Sequence, residues 1–196
     1  QHPNAWWAAF ESAASQAGVG PEHRPAAIAV AGQQHGLVVL DAAGSVIRPA
    51  KLWNDTESAG DAEALVADLG AEAWATACGS VPVASFTITK LRWLRRCEPT
   101  AFERIARVGL PHDWLTHRLT CAWTTDRGDA SGTGWWSPSC EDYRVDLLDQ
   151  LLAELLRVQP VVVAAQRQQL GMRPHLGNPP VFDHQDAVGT ADGRQA

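Results

Sequence analysis

Two short apolar runs on either side of a polar loop do most to limit how this chain can fold. Ala26-Ala-Ile-Ala-Val-Ala31 and Leu37-Val-Val-Leu40 flank Gly32-Gln-Gln-His-Gly36. Short runs of small and β-branched residues bounded by turn residues read as strands, because branched side chains pack well on a pleated surface. Asp41-Ala-Ala-Gly44 then reads as a turn and Ser45-Val-Ile-Arg48 as the returning strand, giving a hairpin at Asp41–Gly44 before Pro49. The polar loop is of interest in itself. Glutamine offers a donor and an acceptor in one plane, and histidine can do either, which suits reading hydroxyl groups. The two glycines let a ligand come close to the backbone. The loop matches neither a dinucleotide-binding glycine pattern nor a phosphate-binding loop. A purely structural turn and a binding loop both fit the residues.

Helical spacing dominates the rest. The periodicity predicts an amphipathic helix over Asn4–Ala17, capped by Asn4, with Trp6, Trp7, Phe10 and Ala14 on one side. Further helices are expected over Glu57–Leu69, stopped by Gly70, and over Glu72–Ala77, ending at Gly79. Thr87–Arg96 carries the strongest pattern, with Ile88, Leu91 and Leu94 on one face and arginines near its end. Thr100 and Glu103 have capping-box spacing, and Pro111 suits the start of a helix over His112–Leu119. Ala122–Thr125 reads as a strand, Asp126–Gly134 as a polar turn and Asp146–Leu156 as a leucine-rich helix. Mixed strands and helices favour an α/β or α+β layered architecture.

Past Arg157 the pattern fades. Residues 157–196 hold 6 of the 11 glutamines, four prolines (160, 174, 179 and 180) and no tryptophan. Only Val161–Val163 keeps an apolar run there. The boundary is therefore drawn at 156, with 157–196 expected to be poorly ordered or out of frame with the rest.

Composition removes several function classes. Net charge is −6 with no block of lysine or arginine, which argues against a nucleic-acid or membrane-surface binder. No apolar run approaches the roughly 20 residues that a membrane-spanning helix needs, and no secretory leader pattern opens the sequence. Cys78, Cys97, Cys121 and Cys140 form no C-x-x-C pair, so four reduced structural thiols in a cytoplasmic protein are expected. His112 and His117 are five apart, on different helical faces, and no metal site built from side chains is expected. Lysine is scarce: Lys51 and Lys90 stand against 14 arginines.

Two more constellations bear on chemistry. Leu52-Trp-Asn-Asp55 places a flat apolar ring beside polar groups, as a sugar pocket would, although a buried tryptophan with a helix-capping Asx residue fits equally. Thr125-Asp-Arg-Gly-Asp-Ala-Ser-Gly-Thr133 suits a ligand-lining loop or a plain tight turn.

Taken in order, these segments resemble the sugar-binding half of the xylulose-phosphorylating branch of the FGGY family of carbohydrate kinases. The resemblance rests on Gly32–Asp41, Arg48–Asp55, Gly79-Ser-Val-Pro82, Phe86–Leu94, Leu110–Thr120 and Thr125–Thr133. It implies an α/β fold of the ribonuclease-H/actin-like type, a mixed sheet flanked by helices. It also implies transfer of phosphate from ATP, with magnesium, to D-xylulose, giving D-xylulose 5-phosphate. Gln34 and His35 would bind the ketose, with Trp53 and Asp55 near the same pocket. The expected partner is thus a small ketose, with no nucleic acid and no membrane, and either a homodimer or a separate C-terminal half as protein partner. Ribulose, glycerol or gluconate kinases of the same family, and a non-catalytic sugar-binding fragment, are the alternatives.

Some positions depart from the family pattern. Glu57 stands where an arginine is usual, reversing a charge beside the pocket, and Cys97 replaces a polar residue. The glycine-rich phosphate hairpin and the Gly-Asp-Asn segment that carries the catalytic base have no clear counterpart. Asp183 and Asp186 match that segment poorly, so the catalytic residue is left unassigned. The expectation is a truncated, inactive chain covering the N-terminal domain over residues 1–156 without its first hairpin.

Overall fold

The computed structural model describes residues 1–148. Its centre is β1 (Val38–Leu40), which is buried on both faces. The backbone of β1 alternates between two neighbours, as a strand's must. Ala106 N–H donates to the Leu40 carbonyl, and Val38 pairs with Gly109 of an antiparallel strand, β2 (Arg107–Gly109). On the opposite edge, Leu37 N–H donates to the Lys51 carbonyl and Ile47 N–H to that of Val39. The intervening turn is closed by Asp41, whose Oδ1 accepts from Ala43 and Ser45 N–H, with Gly44 at a φ of 79°. The expected hairpin is therefore present, although its returning arm makes only isolated bridges at Val46 and Lys51.

Side-chain alternation along the same strand separates two apolar layers. Leu37 and Val39 enter a cluster with Leu65, Trp74, Ile88, Leu91, Leu94, Phe102 and Trp135. Val38 and Leu40 face Ala50 and Trp114 on the other side, where Trp6, Trp7 and Trp123 also pack. Each fully buried side chain of this size contributes about 1.5–3 kcal/mol. The first layer is built from α2 (Ala59–Leu69), α3 (Ala71–Cys78), α4 (Thr87–Cys97) and α5 (Pro99–Glu103). The second joins α1 (Pro3–Gln16) to α6 (Pro111–Thr120). Trp74 is 1% exposed, and its indole N–H donates to the Leu65 carbonyl at 2.8 Å, so the ring enters the core with its polar atom satisfied. A short helix, α7 (Arg127–Ser131), and an antiparallel pair, β3 (Trp136–Ser137) with β4 (Asp142–Tyr143), complete the described region.

Several local expectations change. Residues 26–31 form no strand, and Ile28 is 53% exposed. Both edges of β1 are already occupied, by β2 and by the returning 46–51 arm, so the run does not pair with that strand. The cap of α1 is His2, whose Nδ1 accepts from Asn4 N–H at 3.2 Å; Pro3 has no N–H, which makes Asn4 a donor in need of an acceptor. Glu98, not Thr100, precedes α5, because Pro99 already starts the helix there. Residues 122–125 are irregular: Trp123 lies over Gly109, where a β-carbon would meet its ring at 2.4 Å. Residues 126–134, expected as a turn, hold α7. Of the four thiols, all free, only Cys78 is buried; the other three lie on the surface and do not pack as structural thiols would. The helix expected over Asp146–Leu156 begins before residue 148, and its remainder, Val161–Val163, Asp183 and Asp186 lie outside the described residues. No helix among the described residues is long and apolar enough to cross a membrane.

Candidate functional site

The loop between the two apolar runs is fixed from three sides. His35 adopts a left-handed conformation, φ 62°. Its Nδ1 lies 3.0 Å from the Gly132 carbonyl oxygen, and its ring stacks on Phe86 at 5.1 Å and 11°. Gly132 is required by this fit, because a β-carbon there would meet Nδ1 at 2.0 Å. Gln34, next to it, is exposed, with its amide open to solvent. The 125–133 segment and the 32–36 turn, distant in sequence, thus build one wall.

Phe86 is itself clamped. It precedes α4, and its carbonyl accepts from Thr89 Oγ1 at 2.8 Å and from Lys90 Nζ at 3.3 Å. Lys90 also donates to the carbonyls of Ala84 and Ser85, while Ser58 Oγ donates to Ala84 at 2.9 Å. Lys90 is wholly buried, which pushes its pKa down to about 8; Asp55 opposes that fall and Lys51 adds to it.

Asp55 is held by the other lysine. Lys51 Nζ donates to Asp55 Oδ2 at 2.9 Å, also pairs with Glu57, and sits 3.5 Å from the centre of the Trp93 ring. Burial alone would raise the Asp55 pKa, but Lys51 and the Glu57 N–H hold it below the usual carboxylate range. The reversed charge at Glu57 is therefore answered locally by a buried cation. Trp53 is 57% exposed, and no hydrogen bond or ring contact among the described residues ties it to His35. Of the four predicted site residues, Gln34 and His35 share the 32–36 turn, Asp55 is held by Lys51, and Trp53 is exposed.

Lys51, Lys90, Phe86 and Gly132 were given no role by sequence reasoning. The signal that could have found the lysines is their scarcity: a chain that uses arginine at its other basic positions keeps lysine at two buried ones. Behind the wall lies a further group. His112 packs against Gly32, and Asp113, Asp126 and Asp129 surround its ring at 3.5, 3.8 and 3.9 Å. Asp113 raises the His112 pKa against the effect of burial, with Asp129 and Asp126 adding to it. Burial raises that of Asp129, and the carboxylates of Asp126 and Asp113 add to the shift.

Comparison with known proteins adds the family. Residues 1–175 match the model of the FGGY family of carbohydrate kinases, N-terminal domain. A xylulose kinase of Streptomyces coelicolor is 54% identical over 147 residues, which cover 74% of this chain and 30% of that protein. One from Streptomyces rubiginosus is 52% identical over 147 residues, with the same coverage of 74% and 30%. The crystal structure of xylulose kinase from Bifidobacterium adolescentis superposes with a TM-score of 0.74 and 38% identity, covering 88% of this chain and 38% of that one. The matched part thus spans about a third of the length of these two curated relatives.

Proposed function

The chain belongs to the FGGY family of carbohydrate kinases, with their ribonuclease-H/actin-like fold, and from that membership we propose that it carries the ketose-binding wall of a xylulose kinase. The observation that carries this reading is the placement of His35. Its Nδ1 is committed to the Gly132 carbonyl, its ring is stacked on Phe86, and Nε2 and the Gln34 amide are left for a ligand. A polyhydroxylated sugar matches such a surface, since an imidazole N–H or lone pair and a planar amide each pair with a hydroxyl in a fixed direction. Asp55, kept ionised by Lys51, is offered as a further acceptor for the sugar. Relatives at 54% and 52% identity named as xylulose kinases support D-xylulose over other sugars.

In the whole enzyme the reaction is transfer of the γ-phosphoryl group of ATP to a xylulose hydroxyl, giving D-xylulose 5-phosphate and ADP in the cytoplasm. Magnesium, when bound, neutralises the phosphate charge. The described lysines are not available to the phosphates: Lys51 and Lys90 are engaged by carboxylates and carbonyls, and no described residue is assigned to the nucleotide or its magnesium. The role of this chain's described residues is to bind and orient the sugar.

The test is a ligand panel on the 196-residue chain, read by saturation-transfer NMR. D-Xylulose is expected to give a saturable signal above those of glycerol, ribulose and gluconate. A stronger response to glycerol or gluconate would move the chain to another branch of the family, and silence toward all four would remove the sugar-binding reading.

A further inference from the structure

The group behind the wall is arranged as a ligand set. His112, Asp126 and Asp129 each offer one ligand atom, all within 4.8 Å of one another. Ligands of a tetrahedral zinc-sized ion lie about 3.4 Å apart at bond lengths near 2.1 Å, so the set closes on an ion by contracting on the order of an ångström.

Two of the three carboxylates, Asp126 and Asp113, also divide their oxygens in the same way. Asp126 Oδ1 accepts from Asp129 N–H at 2.9 Å, while its Oδ2 points at His112 Nε2 at 3.8 Å. Asp113 Oδ2 accepts from Leu110 N–H at 2.8 Å, while its Oδ1 lies 3.5 Å from His112 Nδ1. Backbone hydrogen bonds thus orient the carboxylates and leave the inward oxygens unused, as the supporting contacts of metal ligands do. Two of the inward atoms, Asp113 Oδ1 and His112 Nδ1, are buried without a hydrogen bond and only face each other at 3.5 Å, and the Asp113 side chain is only 8% exposed. An unmet buried polar atom costs about 1–3 kcal/mol. Three carboxylates around one imidazole also leave net negative charge even when the ring is protonated.

We propose that His112, Asp126 and Asp129, with Asp113 behind them, bind one divalent transition-metal ion of the Mn2+ or Zn2+ type. A nitrogen donor among carboxylates suits these ions better than Ca2+ or Mg2+, which favour oxygen alone. The ion takes the inward oxygens and ties α6 to the 126–132 segment, whose Gly132 carbonyl holds His35. The donors come from two separate segments, outside any short-spacing metal motif. The site stands independently of the sugar reading and needs neither sugar nor nucleotide.

The experiment is titration of tag-free, metal-stripped full chain with Co2+, read by its visible absorption, and with Zn2+ by calorimetry. One ion per chain is expected, with affinity reduced at least tenfold in both Asp129→Asn and His112→Gln. Asp129→Asn removes a buried repulsion and should fold without metal, so it decides the matter if His112→Gln does not fold. Its thermal midpoint should stay flat on adding Zn2+ while the unsubstituted chain's rises. Absence of one-to-one binding, or equal affinity in Asp129→Asn, overturns the site and leaves His112 as the carboxylates' counter-ion.

Discussion

His35 Nδ1 lies 3.0 Å from the carbonyl oxygen of Gly132, a contact across 97 residues that joins the 32–36 turn to the 125–133 segment. The backbone of Gly132 has an ordinary φ of −85°, so its requirement is steric. Gly132→Ala is expected to push the imidazole off Phe86 and to cost about 1–3 kcal/mol, the usual scale for forcing an extra methyl into a packed site. Urea denaturation measures that loss. The same variant should lose sugar binding although residue 132 contributes no side chain to it.

The two acids on Lys51 are not equivalent. Asp55 is 24% exposed and Glu57 64% exposed at the side chain. Glu57→Gln should therefore cost less than about 1 kcal/mol, as exposed pairs do. Lys51→Met should cost about 1–3 kcal/mol, because it leaves the half-buried Asp55 carboxylate without its cation and strips the Trp93 ring of its charge partner. Urea midpoints at low and high salt separate the two, with only the Glu57 effect fading in salt.

Lys90 predicts a dependence on alkaline pH. The unfolded chain keeps the proton up to about 10.5, whereas burial brings the folded value to about 8, so folding releases a proton between them. Stability must then rise with pH across that interval. Cys78, raised by burial from 9.0 to about 11, and Tyr143, raised by burial from 10.0, act in the opposite sense, but only above their unfolded values. The window from pH 8 to 9 isolates Lys90 from both. There the thermal midpoint should rise by about 2–4 °C, the shift for roughly 1 kcal/mol in a chain this size, and stay level in Lys90→Met.

What the sequence made legible follows from where each force acts. Leu37–Leu40 and Asp41–Gly44 were readable because strand propensity and turn chemistry are local, and Gly70 and Gly79 ended helices for the same reason. Residues 26–31 misled, since their composition is that of a strand while a strand also needs a partner, and the edges of β1 are taken by other segments. Gln34 and His35 stood out as a polar loop between apolar runs. The features that fix them, Gly132 and Phe86, lie 97 and 51 residues away, and pairing at that range leaves no periodicity to read. Glu57 read as a reversed charge against the family pattern, and its answering cation was not legible because Lys51 is buried, contrary to the habit of lysine.

The central claim is that the 32–36 turn binds a ketose. Isothermal titration of the full chain with D-xylulose, alongside Gln34→Ala and His35→Ala, tests it most directly. Each substitution removes one directed hydrogen bond, so binding should weaken about tenfold or more in each while circular dichroism stays unchanged. A chain that takes up no D-xylulose, or variants that bind it as tightly as the unsubstituted protein, would contradict the account.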